Sequence, residues 1–304
     1  MVLSREMTYE KIYYTLWEYG QRYREFAQFR VIGQTHDDRM IPMLELGTGE
    51  YAVFLMAGTD SGEPWISCCL TEMIGEYCSA FECDWKIDEE YPVRELLEQY
   101  RFCFIPMVNP DGYELYSRGY SAIRNPIYRQ MLKMREGTPE DAFCNARGVN
   151  LRNNFPTGYY QRKRLGQEPA SENETKALIR IFQEYRSLGL LSFCYTGKKI
   201  YYYRHPQAFS CNQKSIRMAR HLQKNTCYSL GKIHCDSSAS KDHPFMEKGS
   251  PEQYYMEITK QPAFLIEAPC PGEDSIPCFQ QDQEYRELRK IPLEYLLSWK
   301  KERL

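Results

Sequence analysis

Apolar residues recur along this chain with a helical spacing in some stretches and a strand spacing in others, and the two alternate from end to end. In MTYEKIYYTLWEYGQRYREF, Ile12, Leu16 and Tyr19 fall on one face of a helix. The next stretch, FRVIGQTHDDRMIPMLELGTGEYAVFLMAG, reads as three strands broken by polar and glycine turns. A helix follows from about Glu63 to Cys83, with Ser61 as its N-cap. The buried strand RFCFIPMV (101–108) ends at Asn-Pro-Asp-Gly, and the polar segment from Tyr113 to Pro156 reads as a loop region over the strand ends.

In the second half, SENETKALIRIFQEYRS opens with a capping box, Ser171-x-x-Glu174, and continues as a helix. LLSFCYTG (190–197) and QPAFLIEA (261–268) are further buried strands. The tail DQEYRELRKIPLEYLLSWKKERL is an amphipathic helix, bent or restarted at Pro292. Strands alternating with helices predict an α/β fold with a mostly parallel sheet covered on both faces. No repeat or linker divides residues 1–304, so a single domain is expected.

Composition narrows the function without choosing it. A net charge of -2 gives no reason to expect a nucleic-acid or anionic-membrane partner. No window is apolar enough to span a bilayer, and the N-terminus lacks a secretory apolar region. Twelve cysteines, none in a Cys-x-x-Cys pair, suit reduced thiols and a cytoplasmic setting, with no disulfide expected.

The chemistry concentrates at strand ends. AGTDSGEPWIS places Asp60 and Glu63 between a strand and a helix, and Asn-Pro-Asp-Gly closes the strand at 101–108. GVNLRNNFP carries Asn150, Arg152 and Asn153, while Cys194 and Glu267 each end an apolar run. In this order the segments resemble the zinc carboxypeptidase family, which includes carboxypeptidases A and B and the bacterial γ-D-glutamyl-diamino-acid peptidases. IGQTHDDRMIPMLELG looks like that family's first strand pair, and SENET, LSFCYTG and PAFLIEA resemble its later helix and strands. The resemblance runs from about residue 7 to residue 290 and implies a mixed sheet of about eight strands flanked by helices.

The resemblance also implies roles. Asp60, Glu63 and Cys194 occupy the positions of the three zinc ligands, two of which are His in the family. Glu267 stands for the catalytic base and Arg124 for the residue that polarises the scissile carbonyl. The Asn-Arg pair that holds the substrate's terminal carboxylate is inverted here to Arg152-Asn153. An ungapped count back from Glu267 puts Phe245 where the family has a mobile Tyr, and Glu252 lies where it reads the substrate side chain. An acidic residue there favours a basic or amino-bearing group. Asn150 replaces an Asp that orients the first His, and its amide suits Asp60 as a partner. His205 and His243 are candidate replacement ligands.

Charge separates two readings. Two neutral imidazoles and one carboxylate leave Zn²⁺ at net +1, whereas two carboxylates and a thiolate leave it at −1, so a bound water is less acidified. The chain is then a metallocarboxypeptidase-like protein acting on small peptides through an altered zinc site. In the other reading it is a non-catalytic descendant that binds a peptide or a partner in the same cleft, with Arg152 standing where the metal stood. Without metal, Asp60 caps the following helix and Cys194 is a small buried hydrophobe.

Overall fold

The computed structural model describes residues 7–60, 62, 64–135, 137–138, 143–157, 168–195, 197–202, 209–231, 249–269 and 278–302. Its strands are β1 (Ala27–Gln34), β2 (Met40–Leu46), β3 (Tyr51–Met56), β4 (Lys86–Ile87), β5 (Tyr91–Pro92), β6 (Tyr100–Ile105), β7 (Ser187–Tyr195), β8 (Lys199–Tyr202), β9 (Ser229–Leu230) and β10 (Ala263–Ala268). Eight of them form one sheet in the order β1-β2-β6-β3-β7-β10-β8-β9, and β4 pairs only with β5. The centre, β6-β3-β7-β10, is parallel throughout, while β1, β2 and β8 are joined antiparallel.

Helices are α1 (Tyr9–Arg22), α2 (Pro64–Cys83), α3 (Val93–Gln99), α4 (Pro110–Arg118), α5 (Pro126–Lys133), α6 (Asn173–Glu184), α7 (Phe209–Asn225), α8 (Pro251–Thr259), α9 (Cys278–Leu288) and α10 (Lys290–Glu302). Alternation along each strand sorts side chains to two cores, as a pleated sheet requires. Val53, Leu55, Phe102, Phe104, Leu191 and Phe193 pack with α1, α2 and α10 on one face. Phe54, Met56, Cys103, Ile105 and Leu190 pack with α6 and α8 on the other.

Most predicted elements stand where the pattern put them, and the differences have local causes. The expected loop after residue 113 opens instead as α4, because Asn109 caps Gly112 N–H at 2.9 Å, Pro110 fills the first turn, and Tyr113 and Leu115 are buried. The capping box is not realised. Residue Glu172 is the N-cap, the Ser171 hydroxyl bonds the Glu172 carboxylate, and Glu174 turns inward to Asn145. The tail does break, at Arg289, and Pro292 sits in the first turn of α10, where a missing N–H costs nothing. Ser61 lies outside the described residues.

Candidate functional site

Three adjacent strands of the parallel centre bring the polar positions to one end of the sheet. Beyond β3 the chain turns at Gly58, whose φ of +63° favours glycine and where a Cβ would meet Ser67 Oγ at 3.0 Å. Backbone bonds from Val108 to Ala57 (3.0 Å) and from Asn109 to Gly58 (2.8 Å) fasten this turn to the one after β6. Asp60 follows immediately and is buried. Cys194 near the end of β7 and Glu267 near the end of β10 are register partners, so their side chains share the sheet face that α8 covers. A crevice at the carboxyl ends of parallel strands is where open α/β sheets bind ligands.

Arg152 supplies the charge at this end. It is 3% exposed and sits in a short 3-10 turn, Leu151–Asn153, whose N-cap is Asn150. Its Nε donates to Asp60 Oδ2 at 2.7 Å, and its Nη1 donates to Glu252 Oε1 at 3.3 Å. Glu252 is fully buried in the first turn of α8, where Ser250 caps the helix and the helix N-terminus favours an anion. One guanidinium therefore bridges two buried carboxylates from opposite ends of the sequence, the geometry in which Arg outperforms Lys.

The other candidates fall unevenly. Asn150 was expected to donate to Asp60; instead its side-chain oxygen accepts the Arg152 N–H at 2.8 Å, and Arg152 itself takes the Asp60 carboxylate. Glu252 does not face solvent but holds Arg152. Asn153 is half-buried, and among the described residues its Oδ1 has no hydrogen-bond partner, as is true of Glu252 Oε2. Arg124 does not join this group. Its guanidinium is exposed and donates to the Asp38 carbonyl at 3.0 Å, because Asp37 accepts the Arg124 and Asn125 N–H groups and pins that backbone to the β1–β2 turn. Glu63, Phe245, His205 and His243 lie outside the described residues.

Glu267 has a partner the sequence reading missed. Tyr201 Oη donates to Glu267 Oε2 at 3.2 Å from β8, and burial together with that carboxylate pushes the phenol well above its ordinary range. The signal was the apolar pair Ile200 and Tyr201 in KKIYYYR, which pairs antiparallel to β10.

The Asn-Pro-Asp-Gly motif supports this end of the sheet from behind. Asp111 is fully buried and accepts from Thr35 Oγ1 and Arg39 Nη1, both at 2.9 Å, while Arg39 also reaches Asp37 at 2.7 Å. A Cβ at Gly112 would come within 2.6 Å of the Cys144 carbonyl. A second buried acid group adjoins it: Asn145 Nδ2 donates to Glu172 at 2.8 Å and Glu174 at 3.2 Å. Burial, with Asp111 and Glu172 nearby, pushes the Glu174 carboxyl up to about 8.

The donor set does not suit zinc as arranged. A carboxylate oxygen binds zinc at about 2.0–2.2 Å, and the Asp60 oxygen is already held by a guanidinium nitrogen at 2.7 Å, a like charge to the metal. Among the described residues, no three His, Cys, Asp or Glu side chains gather as a metal-holding group.

Comparison with known proteins agrees with the fold. A model of the zinc carboxypeptidase family matches residues 12–287. An uncharacterized protein of Bacillus subtilis (strain 168), YqgT, is 28% identical over 193 residues, 58% of this chain and 50% of that protein, so the chain spans about half the length of this curated relative. Bovine thrombin-activatable fibrinolysis inhibitor, solved in complex with tick carboxypeptidase inhibitor, superposes with a TM-score of 0.70 at 16% identity over 97% of both chains. Carboxypeptidase A from Helicoverpa armigera gives 0.68 at 16% identity, over 97% of this chain and 74% of that one. A metallo-carboxypeptidase from Burkholderia cenocepacia gives 0.66 at 13% identity, over 97% and 70%. At these identities the structures speak for the fold.

Proposed function

This chain belongs to the zinc carboxypeptidase family, and from that premise we propose that it binds small peptides in the family's cleft without zinc, hydrolysing ordinary C-terminal residues weakly or not at all. The observation that carries the reading is Arg152, buried between Asp60 and Glu252. A fixed guanidinium supplies positive charge where the family uses a dication, but it offers no open coordination position for a water. It can orient a peptide carbonyl or carboxylate by hydrogen bonding, the bidentate geometry arginine favours.

The ligand's chemistry follows from the remaining atoms. Among the described residues, Glu252 Oε2 and Asn153 Oδ1 are buried acceptors without partners, and leaving such atoms unmet is costly. A peptide bearing an amino group on its side chain would meet them with donors. Twelve cysteines with no Cys-x-x-Cys pair suit reduced thiols, which supports work in a reducing, cytoplasmic setting. No described helix is long and apolar enough to cross a membrane.

A second reading, weak zinc-dependent hydrolysis through Asp60, Glu63 and Cys194, draws support from Glu267, held at a strand end in register with Cys194. One experiment separates the two. Protein purified without chelator is analysed for metal, titrated calorimetrically with short peptides ending in lysine or leucine, and assayed on them with added Zn²⁺. Zinc-free protein that binds the lysine peptide and does not cleave it supports the proposal. One zinc per chain with turnover at ordinary enzymatic rates, on the order of 1–10³ s⁻¹, overturns it.

A further inference from the structure

Arg152 is mounted on a strap, residues 145–154, whose two ends hang from one short stretch at the start of α6. At the near end the chain folds round Asn145. Its Oδ1 accepts the Arg147 and Val149 N–H groups, both at 3.1 Å, and its backbone bonds to Val149 and Gly148. Its Nδ2 donates to Glu172 at 2.8 Å and to Glu174 at 3.2 Å. At the far end Asn154 Oδ1 accepts the Glu172 N–H at 3.2 Å, and its Nδ2 donates to Ser171 Oγ at 2.9 Å. Asn145, Asn154, Glu172 and Glu174 are all buried. Residues 171–174 therefore hold the strap that carries Arg152 to Asp60 and Glu252.

The acid cage around Asn145 is one charge out of balance when Glu174 is ionised. α4 brings Asp111, the β1–β2 turn brings Asp37, Arg39 and His36, the strap brings Arg147, and α6 with its N-cap brings Glu172 and Lys176. Burial lowers the His36 imidazole below its usual range, so at neutral pH it carries no charge. Asp37, Asp111 and Glu172 are then matched by Arg39, Arg147 and Lys176, the last of which donates to the Ser171 carbonyl. Among the described residues, Glu174 has the Asn145 amide as its side-chain partner and no cation. Asp111 Oδ2, in the same cage, has no hydrogen-bond partner there either. A buried carboxyl without a counter-ion keeps its proton.

We propose that Glu174 is a positioning residue for Arg152 that acts through Asn145: protonated, it keeps the cage neutral and the strap closed; ionised, it loosens the strap and weakens peptide binding in the cleft. Weakened binding rests on the proposed function, whereas loosening does not. A carboxyl raised in the closed strap favours closure most below its ordinary range, and the advantage disappears as pH rises through about 8. Release of this one proton between pH 7 and pH 9 raises the open fraction about tenfold.

Cys144 reports opening, since it is buried next to Asn145. The intact protein and Glu174→Gln are pulsed with iodoacetamide from pH 7 to pH 9, and Cys144 labelling is read by mass spectrometry. A peptide ending in lysine is titrated into both by calorimetry at the same pH values. The ratio of parent to variant labelling, in which thiolate formation cancels, is expected to rise about tenfold across this range. The parent's peptide affinity is expected to fall at least threefold relative to that of Glu174→Gln. A flat labelling ratio, or a rising ratio with equal peptide affinities, overturns the proposal. A peptide that binds neither protein at any pH refutes the proposed function, and labelling alone then decides the role of Glu174. Should Glu174→Gln fail to fold, the unaltered protein decides: Cys144 labelling must climb with pH about tenfold more than that of exposed Cys83.

Discussion

Replacing Arg152 by Met tests whether the guanidinium is the cation that holds the cleft together. The side chain is 3% exposed, and it contacts Asp60 at 2.7 Å and the fully buried Glu252 at 3.3 Å. Removing one partner of a buried pair leaves an uncompensated charge, which costs about 3–5 kcal/mol. The exposed pair Arg186–Glu50 provides the contrast, since solvent screens an exposed pair and it adds little to stability. Arg152→Met should therefore lose about 3–5 kcal/mol in urea unfolding, a large share of the roughly 5–15 kcal/mol that domains possess. Arg152→Lys should fall between, because a compact ammonium cannot span both carboxylates as a planar fork does. The triple change Arg152→Met, Asp60→Asn and Glu252→Gln should recover most of the loss, since the two described carboxylates that Arg152 holds are then neutral. If Arg152→Met costs no more than Arg186→Met, the guanidinium is not a structural cation and the proposed function loses its basis.

Other outcomes follow from neighbouring features. The folded Glu174 carboxyl, at about 8, lies above its ordinary value of 4.5, so its contribution is fully present below about pH 4.5 and disappears as pH rises through 8. The stability of Glu174→Gln minus that of the parent should accordingly grow between pH 5 and pH 9 in urea unfolding, and a flat difference would remove Glu174 from the account. Restoring Asp60→His, Cys194→His and Asn150→Asp should give little zinc affinity while Arg152 remains, and adding Arg152→Asn with Asn153→Arg should raise it at least tenfold by competition with a chelating dye. All twelve cysteines should titrate as thiols in denaturant without reductant. In the native protein, exposed Cys83 should react ahead of Cys227, whose thiol is held up by a hydrogen bond to Glu287; the reverse order in timed alkylation would contradict this.

The fold was readable because its long apolar runs are strands buried on both faces. YAVFLM, RFCFI and AFLIEA carry no polar alternation, and only a covered parallel centre accommodates such runs. β8 and α7 escaped the reading since KIYY is short and FSCNQKSIRMARHLQKN buries few side chains. The metal-free reading set Arg152 where the metal would stand, and its guanidinium does meet Asp60. What the sequence could not convey was competition for partners. Glu252 reads as a substrate-facing acid until Arg152 is seen to reach it from a hundred residues away. Asn150 and Arg124 were assigned by position in a motif, yet local turns claim both: a backbone N–H in one case and the Asp38 carbonyl in the other.

The strand order has a consequence for how the chain assembles. β3 finds its second partner only in β7, so Leu55 waits for Leu191, well over a hundred residues later in synthesis. The local pair β1–β2 can close at once, and β6 can join soon after. Throughout that interval, the YAVFLM edge is an apolar strand with unsatisfied amides and carbonyls, the kind of surface that templates pairing between chains. Long-range parallel pairing is slow because loop closure comes before any contact rewards it. Expression yield should therefore respond to whatever shields β3 in nascent chains, such as lower temperature or a chaperone that binds extended apolar segments, more than to substitutions that stabilise the finished protein.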